Sequence, residues 1–377
     1  MNAPAPPPVP DHVVYEKTEY EDPPEEKAKK MRQLVDIVRS AQNLVVYTGA
    51  GVRGDNGMDK YGWQSAVLGM GVGKGAADLL MPSYSHVAIT KLLNEGVIKF
   101  IVSSNHDNLH IRSGASPDKV SEIFGNGYIE TCLKCGDKFL RHTQVPQLGR
   151  ICDHEECGGR LKKEGVRFGG MVPEGPLRIA TNEAKKADVA LVLGSSMSVS
   201  PFCNLPWKAK KVIIVCLQDT TVDRRATIKI NATCDEVMHG ILEGLGRDST
   251  LEYEYRQSFL VSHRREADGG WALRLGGGRK NEVCTCVEEV RVTLPGQQQD
   301  EPRLMDEGDG VWDLAFEQTD ASAEEVAVEM EIVFRPAYGV PPRQLRYVIR
   351  PSEGDTGQQL LRFSCHVHYP VPGQKST

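Results

Sequence analysis

Between residues 25 and 247, short apolar runs alternate with amphipathic ones, and this alternation restricts the fold more than any other feature of the chain. The apolar runs are NLVVYTGAG, VIKFIVSS, ADVALVLGSS and KKVIIVCLQ. Between and around them lie helix-period segments. PPEEKAKKMRQLVDIVRSAQ places Met31, Leu34, Val35 and Val38 on one face, with acids first and bases later. SYSHVAITKLLNEG offers Ser85 as an N-cap and Gly96 as a stop. CDEVMHGILEGLG lines up Val237, Met238, Ile241, Leu242 and Leu245. Apolar strands separated by amphipathic helices predict an α/β, doubly wound parallel sheet covered on both faces. In such a sheet, ligands meet the carboxyl ends of the strands.

The pattern changes after residue 250. VWDLAFEQ, EVAVEMEIVF, QLRYVIRP and LRFSCHVHYP alternate with a period of two, which predicts a C-terminal all-β sandwich-like domain. The expected organisation is a flexible Pro-rich arm over 1–24, the α/β domain over 25–247, a linker over 248–274 and the β domain over 275–377. DGGWALRLGGGRKNE reads as loop.

Cysteine spacing is the strongest chemical signal. Cys132 and Cys135 are separated by two residues, Cys152 and Cys157 by four, and sixteen residues lie between the pairs. Four thiolates close a tetrahedral zinc site with no open position, so the expected role is structural, in a module over about 128–168. His154 lies inside the second pair and could replace one sulfur. Cys203, Cys216, Cys234 and Cys365 read as small hydrophobes.

Two further signals fall at strand ends. VVYTGAG brings Gly49, Ala50 and Gly51 to a tight turn, and Gly54 completes a dinucleotide-type glycine pattern. SSNHDNLH and GSSMSVSP place Asn105, Asp107, Gly194, Ser195 and Ser196 at two other strand ends. These residues either face one ligand cavity or cap the following segments.

Charge and hydropathy exclude some functions. A net charge of -6 does not describe a general nucleic-acid binder, and no apolar run reaches the length of a membrane span. The N-terminus lacks a secretory pattern, so the expectation is an intracellular protein, nuclear or cytoplasmic. His366 and His368 share a strand face, and the expectation there is an exposed sheet surface. The KAKK runs at 27–30 and 208–211 read as solvated charge.

In order and spacing, YTGAG, NHDNLH, the four-cysteine knuckle, VRFGG, LVLGSSMSV and IVCLQ resemble the sirtuins, the NAD-dependent protein deacylases. SHVAITKL, NLHIRSG, VSEIFGN and CDEVM are most similar to the nuclear, class IV branch. The resemblance covers about residues 28 to 245 and implies a Rossmann-like fold. It implies NAD contacts at Gly49, Ala50, Gly51, Asn105, Asp107, Gly194, Ser195 and Ser196. It also implies a histidine general base, acting on the ribose that carries nicotinamide, immediately before a glycine ahead of the knuckle.

That place holds Phe124. Phenylalanine neither accepts nor donates a proton, so the resemblance leaves no catalytic residue at that position. Other family positions change too. Arg53 replaces a serine, Asp59 a proline, Lys60 an aspartate and Gly62 an arginine, while Tyr61 keeps its type. Ser104 opens the Gln-Asn-x-Asp motif, Gly170 closes Phe-Gly-Glu, and Cys216 replaces a ribose-contacting asparagine. The implied NAD binding is weak or absent. The expected function is a sirtuin-fold pseudoenzyme, a non-catalytic structural or interaction subunit with protein partners in a larger complex. The alternatives are a weakened deacylase or ADP-ribosyl transferase, with His106 or His110 as a displaced base, and an NAD or ADP-ribose sensor.

Overall fold

The computed structural model describes residues 19–53, 81–141, 148–166, 170–278, 286–294, 302–308, 311–316, 324–335, 340–369 and 371–372. Its first unit is a six-stranded parallel sheet formed by β1 (Leu44–Thr48), β2 (Ile98–Ser103), β3 (Val120–Glu122), β8 (Val189–Leu193), β9 (Lys211–Val215) and β10 (Ile228–Ile230). The order across the sheet is β10-β9-β8-β1-β2-β3, so the chain reverses direction between β1 and β8. This reversal leaves a crevice at the carboxyl ends of those two strands.

One face of the sheet is covered by α1 (Pro24–Ser40), α2 (Tyr84–Asn94) and α5 (Cys234–Gly244). Leu34, Val38, Val237, Ile241 and Leu242 supply the buried faces that the helical spacing predicts. Full burial of a side chain of this size contributes about 1.5–3 kcal/mol. The opposite face packs against α4 (Glu174–Lys186) through Ala180 and Ala184. A single turn, α3 (Leu109–Arg112), follows β2.

Helix α2 starts differently from the expectation. Its N-cap is Ser83, which exchanges hydrogen bonds with His86, whereas Ser85 sits in the first turn with its hydroxyl donating to Asp235. Its end is as expected. Gly96 has φ of 76°, its N–H donates to the Leu93 carbonyl, and the Val97 N–H donates to the Leu92 carbonyl. This left-handed stop suits glycine.

Between β3 and α4 lies a small antiparallel sheet of β4 (Ile129–Cys132), β5 (Lys138–Leu140), β6 (Leu148–Ile151) and β7 (Arg160–Lys163), ordered β5-β4-β7-β6. It carries the cysteine knuckles.

The C-terminal unit is a two-sheet sandwich. Its larger sheet is ordered β15-β16-β12-β11-β19, from β11 (Glu252–Arg265), β12 (Trp271–Gly277), β15 (Asp306–Gly308), β16 (Val311–Phe316) and β19 (Thr356–His368). The smaller is ordered β14-β13-β17-β18, from β13 (Val287–Thr293), β14 (Arg303–Leu304), β17 (Val326–Phe334) and β18 (Arg343–Ile349). Trp312, Leu314 and Phe316, and Val326, Val328, Met330, Ile332 and Phe334, all point into the shared core as their period predicts.

Two domain expectations are corrected. Residues 248–274 are not a linker, because they contain β11 and the start of β12. Tyr253, Tyr255, Phe259, Val261 and a fully buried Trp271 make them part of the sandwich core. The arm over 1–24 is described only from residue 19, and that part is docked. The Tyr20 N–H donates to the Leu217 carbonyl, and the Asp22 N–H to the Asn231 carbonyl. The Asp22 carboxylate accepts from the Asn231 N–H and pairs with Lys30. The sandwich also rests on α2, where the Tyr369 hydroxyl donates to the Pro82 carbonyl and the Tyr84 hydroxyl to the Ser249 carbonyl.

Because Trp271 anchors the larger sheet, Trp271→Ala is expected to destabilise the sandwich by about 3–5 kcal/mol. Chemical denaturation of the two proteins followed by circular dichroism measures the difference.

Candidate functional site

β1 runs into a tight turn, Gly49 to Arg53, that crosses the end of β8. The Gly49 N–H donates to the Leu193 carbonyl at 3.0 Å, and the Gly51 N–H to the Gly194 carbonyl at 2.8 Å. Gly194 has φ of 63°, and a Cβ there would lie 2.3 Å from backbone atoms of Gly51 and Val52. The glycines therefore allow two backbones to cross. The Gly51 amide serves that crossing and is not offered to a ligand.

The β2 end completes the site. Asn105 is buried and its Nδ2 donates to the Gly49 carbonyl at 3.1 Å. Asp107, only 3% exposed, accepts from Arg53 Nε at 2.8 Å on Oδ2 and from the Leu109 N–H at 3.1 Å on Oδ1. Burial alone would raise the Asp107 pKa. The Arg53 guanidinium, nearby histidines and the Leu109 amide instead hold it at about 2. Ser195 accepts from the Met197 N–H, and the Ser196 and Ser198 hydroxyls pair. So Gly49, Gly51, Asn105, Asp107, Gly194 and Ser195 do come together around one turn. Asp107 and Ser195 also satisfy amides two residues on, as their local-capping reading required.

Phe124 lies in the turn two residues past β3, half-buried and packed on the core beneath the sheet. Its ring is 6.0 Å from that of His106. His106 Nδ1 lies 2.9 Å from the Gly125 carbonyl, an acceptor, which fixes the proton on Nδ1 and leaves Nε2 as an acceptor. Burial lowers the His106 pKa, so the ring is neutral at pH 7. His110 points away, with Nε2 lying 2.8 Å from Thr48 Oγ1 in the protein interior. Cys216 is half-buried, and its carbonyl accepts from Lys229 Nζ and Asn231 Nδ2. Gly54, Asp59, Lys60, Tyr61, Gly62, Phe168 and Gly169 lie outside the described residues.

Two groups, His86 and Glu122, escaped sequence reading. His86 is completely buried beside His110, their rings 4.8 Å apart. His86 Nε2 and His110 Nδ1 have no partner among the described residues. Glu122 accepts from Asn126 Nδ2 and is pushed up to about 8 by burial and by the charge of Asp107. Its place at the last position of a strand ending beside the NHDN loop was the available signal.

In the cysteine module, Cys132 and Cys157 sulfurs are 3.6 Å apart and those of Cys135 and Cys152 are 3.8 Å apart. All four lie within 4.8 Å of one another. Zn–S bonds of about 2.3 Å at tetrahedral angles require S···S edges of about 3.8 Å, so these residues fit a closed zinc site. His154 pairs with Asp137 at 2.7 Å and remains exposed, outside the four-sulfur set. Beneath the module, a fully buried Arg141 bonds Glu130 at 2.8 Å and Asp153 through two nitrogens at 2.6 and 2.9 Å. His366 and His368 are exposed beside Glu252 and join no metal-ligand group among the described residues.

This combination of a doubly wound sheet, a glycine crossing at the switch point and an inserted four-cysteine module defines an α/β protein of a known class. A Sir2 family model matches residues 72–201. The chain is 35% identical to the NAD-dependent protein deacetylase sirtuin-7 of Mus musculus, over 74% of this chain and 73% of that protein. It is 34% identical to the NAD-dependent protein deacetylase SRT1 of Arabidopsis thaliana, over 60% of this chain. It spans 51% of that plant relative's length. A solved structure of Sir2Tm bound to a propionylated peptide aligns over 58% of this chain and 100% of that one, with 27% identity and a TM-score of 0.48. The chain belongs to the Sir2, or sirtuin, family. No helix among the described residues is long and apolar enough to cross a membrane.

Two outcomes test the site. Glu122 binds its proton more tightly when folded, so its stabilisation is complete below 4.5 and is lost as pH rises towards 8. His86 and His110 bind theirs less tightly, so their contribution is complete above 6.5 and is lost as pH falls. Thermal melts of Glu122→Gln should therefore lose the decline from pH 5 to 8 while keeping the acid-side decline. Separately, elemental analysis should find one zinc per chain, and Cys152→Ser should lose the metal and melt at a lower temperature.

Proposed function

We propose that this chain is a sirtuin-fold protein without deacylase chemistry, acting as a non-catalytic structural or interaction subunit of a larger protein assembly. The observation that carries the reading is Phe124 at the place where the family resemblance puts the general base. Loss of general base catalysis alone costs about 10²–10⁴-fold in rate. The Asp107 carboxylate supports the same reading, because it is already paired with Arg53.

What remains intact is architecture. Cys132, Cys135, Cys152 and Cys157 would hold zinc, and a closed four-thiolate zinc supplies structural cross-linking only. With the sandwich packed beside it, this gives a large surface for protein partners. The relatives named above are called NAD-dependent protein deacetylases, and NAD is their cofactor by name.

A second reading, residual deacylase or ADP-ribosyl transferase activity, has one observation in its favour. His106 presents a neutral Nε2 beside Phe124, between Asn105 and Asp107.

One assay separates them. Incubated at high concentration with NAD and an acyl-lysine peptide, the 377-residue protein should release no nicotinamide above buffer. Release that disappears in His106→Phe would overturn the non-catalytic reading in favour of the second.

A further inference from the structure

We propose that an exposed basic patch at the amino ends of β8 and β9 is a docking surface for an acidic segment of a partner protein. This rests on the interaction-subunit reading and names the chemistry of the partner.

The tetrapeptide Lys-Ala-Lys-Lys occurs twice, at 27–30 and at 208–211. In the first run, Lys27 pairs with Glu21 and Glu236, and Lys30 pairs with Asp22 and Glu26. Most of that charge is neutralised within the fold. In the second run, Lys208, Lys210 and Lys211 are exposed and have no carboxylate partner among the described residues.

Packing gathers further cations around this second run. The Lys211 N–H donates to the Asp188 carbonyl at 3.1 Å, which sets the start of β9 beside the end of α4, where Lys185 and Lys186 are exposed. The Val212 N–H donates to Thr227 Oγ1 at 3.1 Å, and the Thr227 N–H donates to the Val212 carbonyl at 2.7 Å. This exchange brings the exposed Arg224 and Arg225 to the same end of the sheet, with the Arg225 guanidinium 4.1 Å from the centre of the Trp207 ring. The acids of these segments are already engaged. Glu183 pairs with Lys186, Asp188 accepts from the Gln42 and Asn43 amides, and Asp223 accepts from Thr220. Seven cations stand against three carboxylates here, in a chain whose net charge is -6. An exposed field of this sign attracts an anionic partner.

An acidic protein segment fits the patch better than a nucleic acid. A duplex carries one charge per about 1.7 Å along its whole length, so it would run past the patch onto an acidic remainder. A short carboxylate-rich segment meets the patch alone. The half-buried Trp207 carries Arg225 on its ring and is not a free platform for stacking bases. Five of the seven cations are lysines, so the planar fork that grips phosphate is scarce.

Fluorescence anisotropy of the 377-residue protein with a labelled oligoglutamate peptide tests this, with a labelled DNA duplex as comparator. The peptide should bind more tightly than the duplex and weaken as salt is raised. The triple variant Lys208→Gln, Lys210→Gln, Lys211→Gln should bind the peptide about tenfold more weakly. Replacing the same three lysines with arginine keeps the charge and should keep the affinity. All three side chains are exposed, so both variants should fold. Failure of the peptide to bind, unchanged affinity in the glutamine variant, or equal or tighter binding of the duplex overturns the proposal. The two failures are distinguishable, because nicotinamide release sinks the non-catalytic reading whereas these titrations judge the patch alone.

Discussion

A buried ion pair between Arg53 and Asp107 ties the turn after β1 to the loop after β2, and the rest of the cleft is arranged around it. Asp107 lies at the carboxyl end of a parallel sheet, where it cannot stay charged without a partner. Arg53 comes from the first glycine turn, which keeps its position only because Gly49, Gly51 and Gly194 let it cross the end of β8. Asn105 closes the crossing from the other side. Among the described residues, Asp107 is matched by Arg53 and the Gly49, Gly51 and Val52 amides are engaged within the protein.

That internal satisfaction agrees with the chemistry at Phe124. An imidazole there would offer a proton acceptor, whereas the benzyl ring packs on the core and against His106. The zinc-fitting module and the sandwich, by contrast, are supported by buried partners, Arg141 with Glu130 and Asp153 in one and Trp271 in the other. On the proposed reading, the molecule keeps what holds its shape and gives up what the family's reaction needs.

Much of this was legible beforehand, and the misses have physical causes. The parallel sheet and its helices follow from apolar runs and helical spacing, and the period-two residues of β16 and β17 point into the core as written. β11 and β12 were missed because EYEYRQSFLVSHRR alternates with charged and polar residues on its outer face, and because WALRLGG is flanked by glycines that read as loop. Ser83 caps α2 instead of Ser85 because His86, three residues on, returns the hydrogen bond. In the site, the residues at strand ends were identifiable individually. The Arg53–Asp107 pair joins positions 54 apart in sequence, and the altered pKa of Glu122 depends on burial, so neither is visible in a linear pattern. Arg141 shows the same limit: a lone arginine in sequence reads as surface charge, yet it is the buried centre of the cysteine module.

The central claim is that Asp107 is ionised, buried and already matched by Arg53. Carbon-13 NMR titration of selectively labelled aspartate carboxyls, with Asp107→Asn used to assign the signal, measures this directly. The account predicts an apparent pKa of about 2. A value at or above the ordinary 3.8 would mean that Arg53 does not hold the carboxylate.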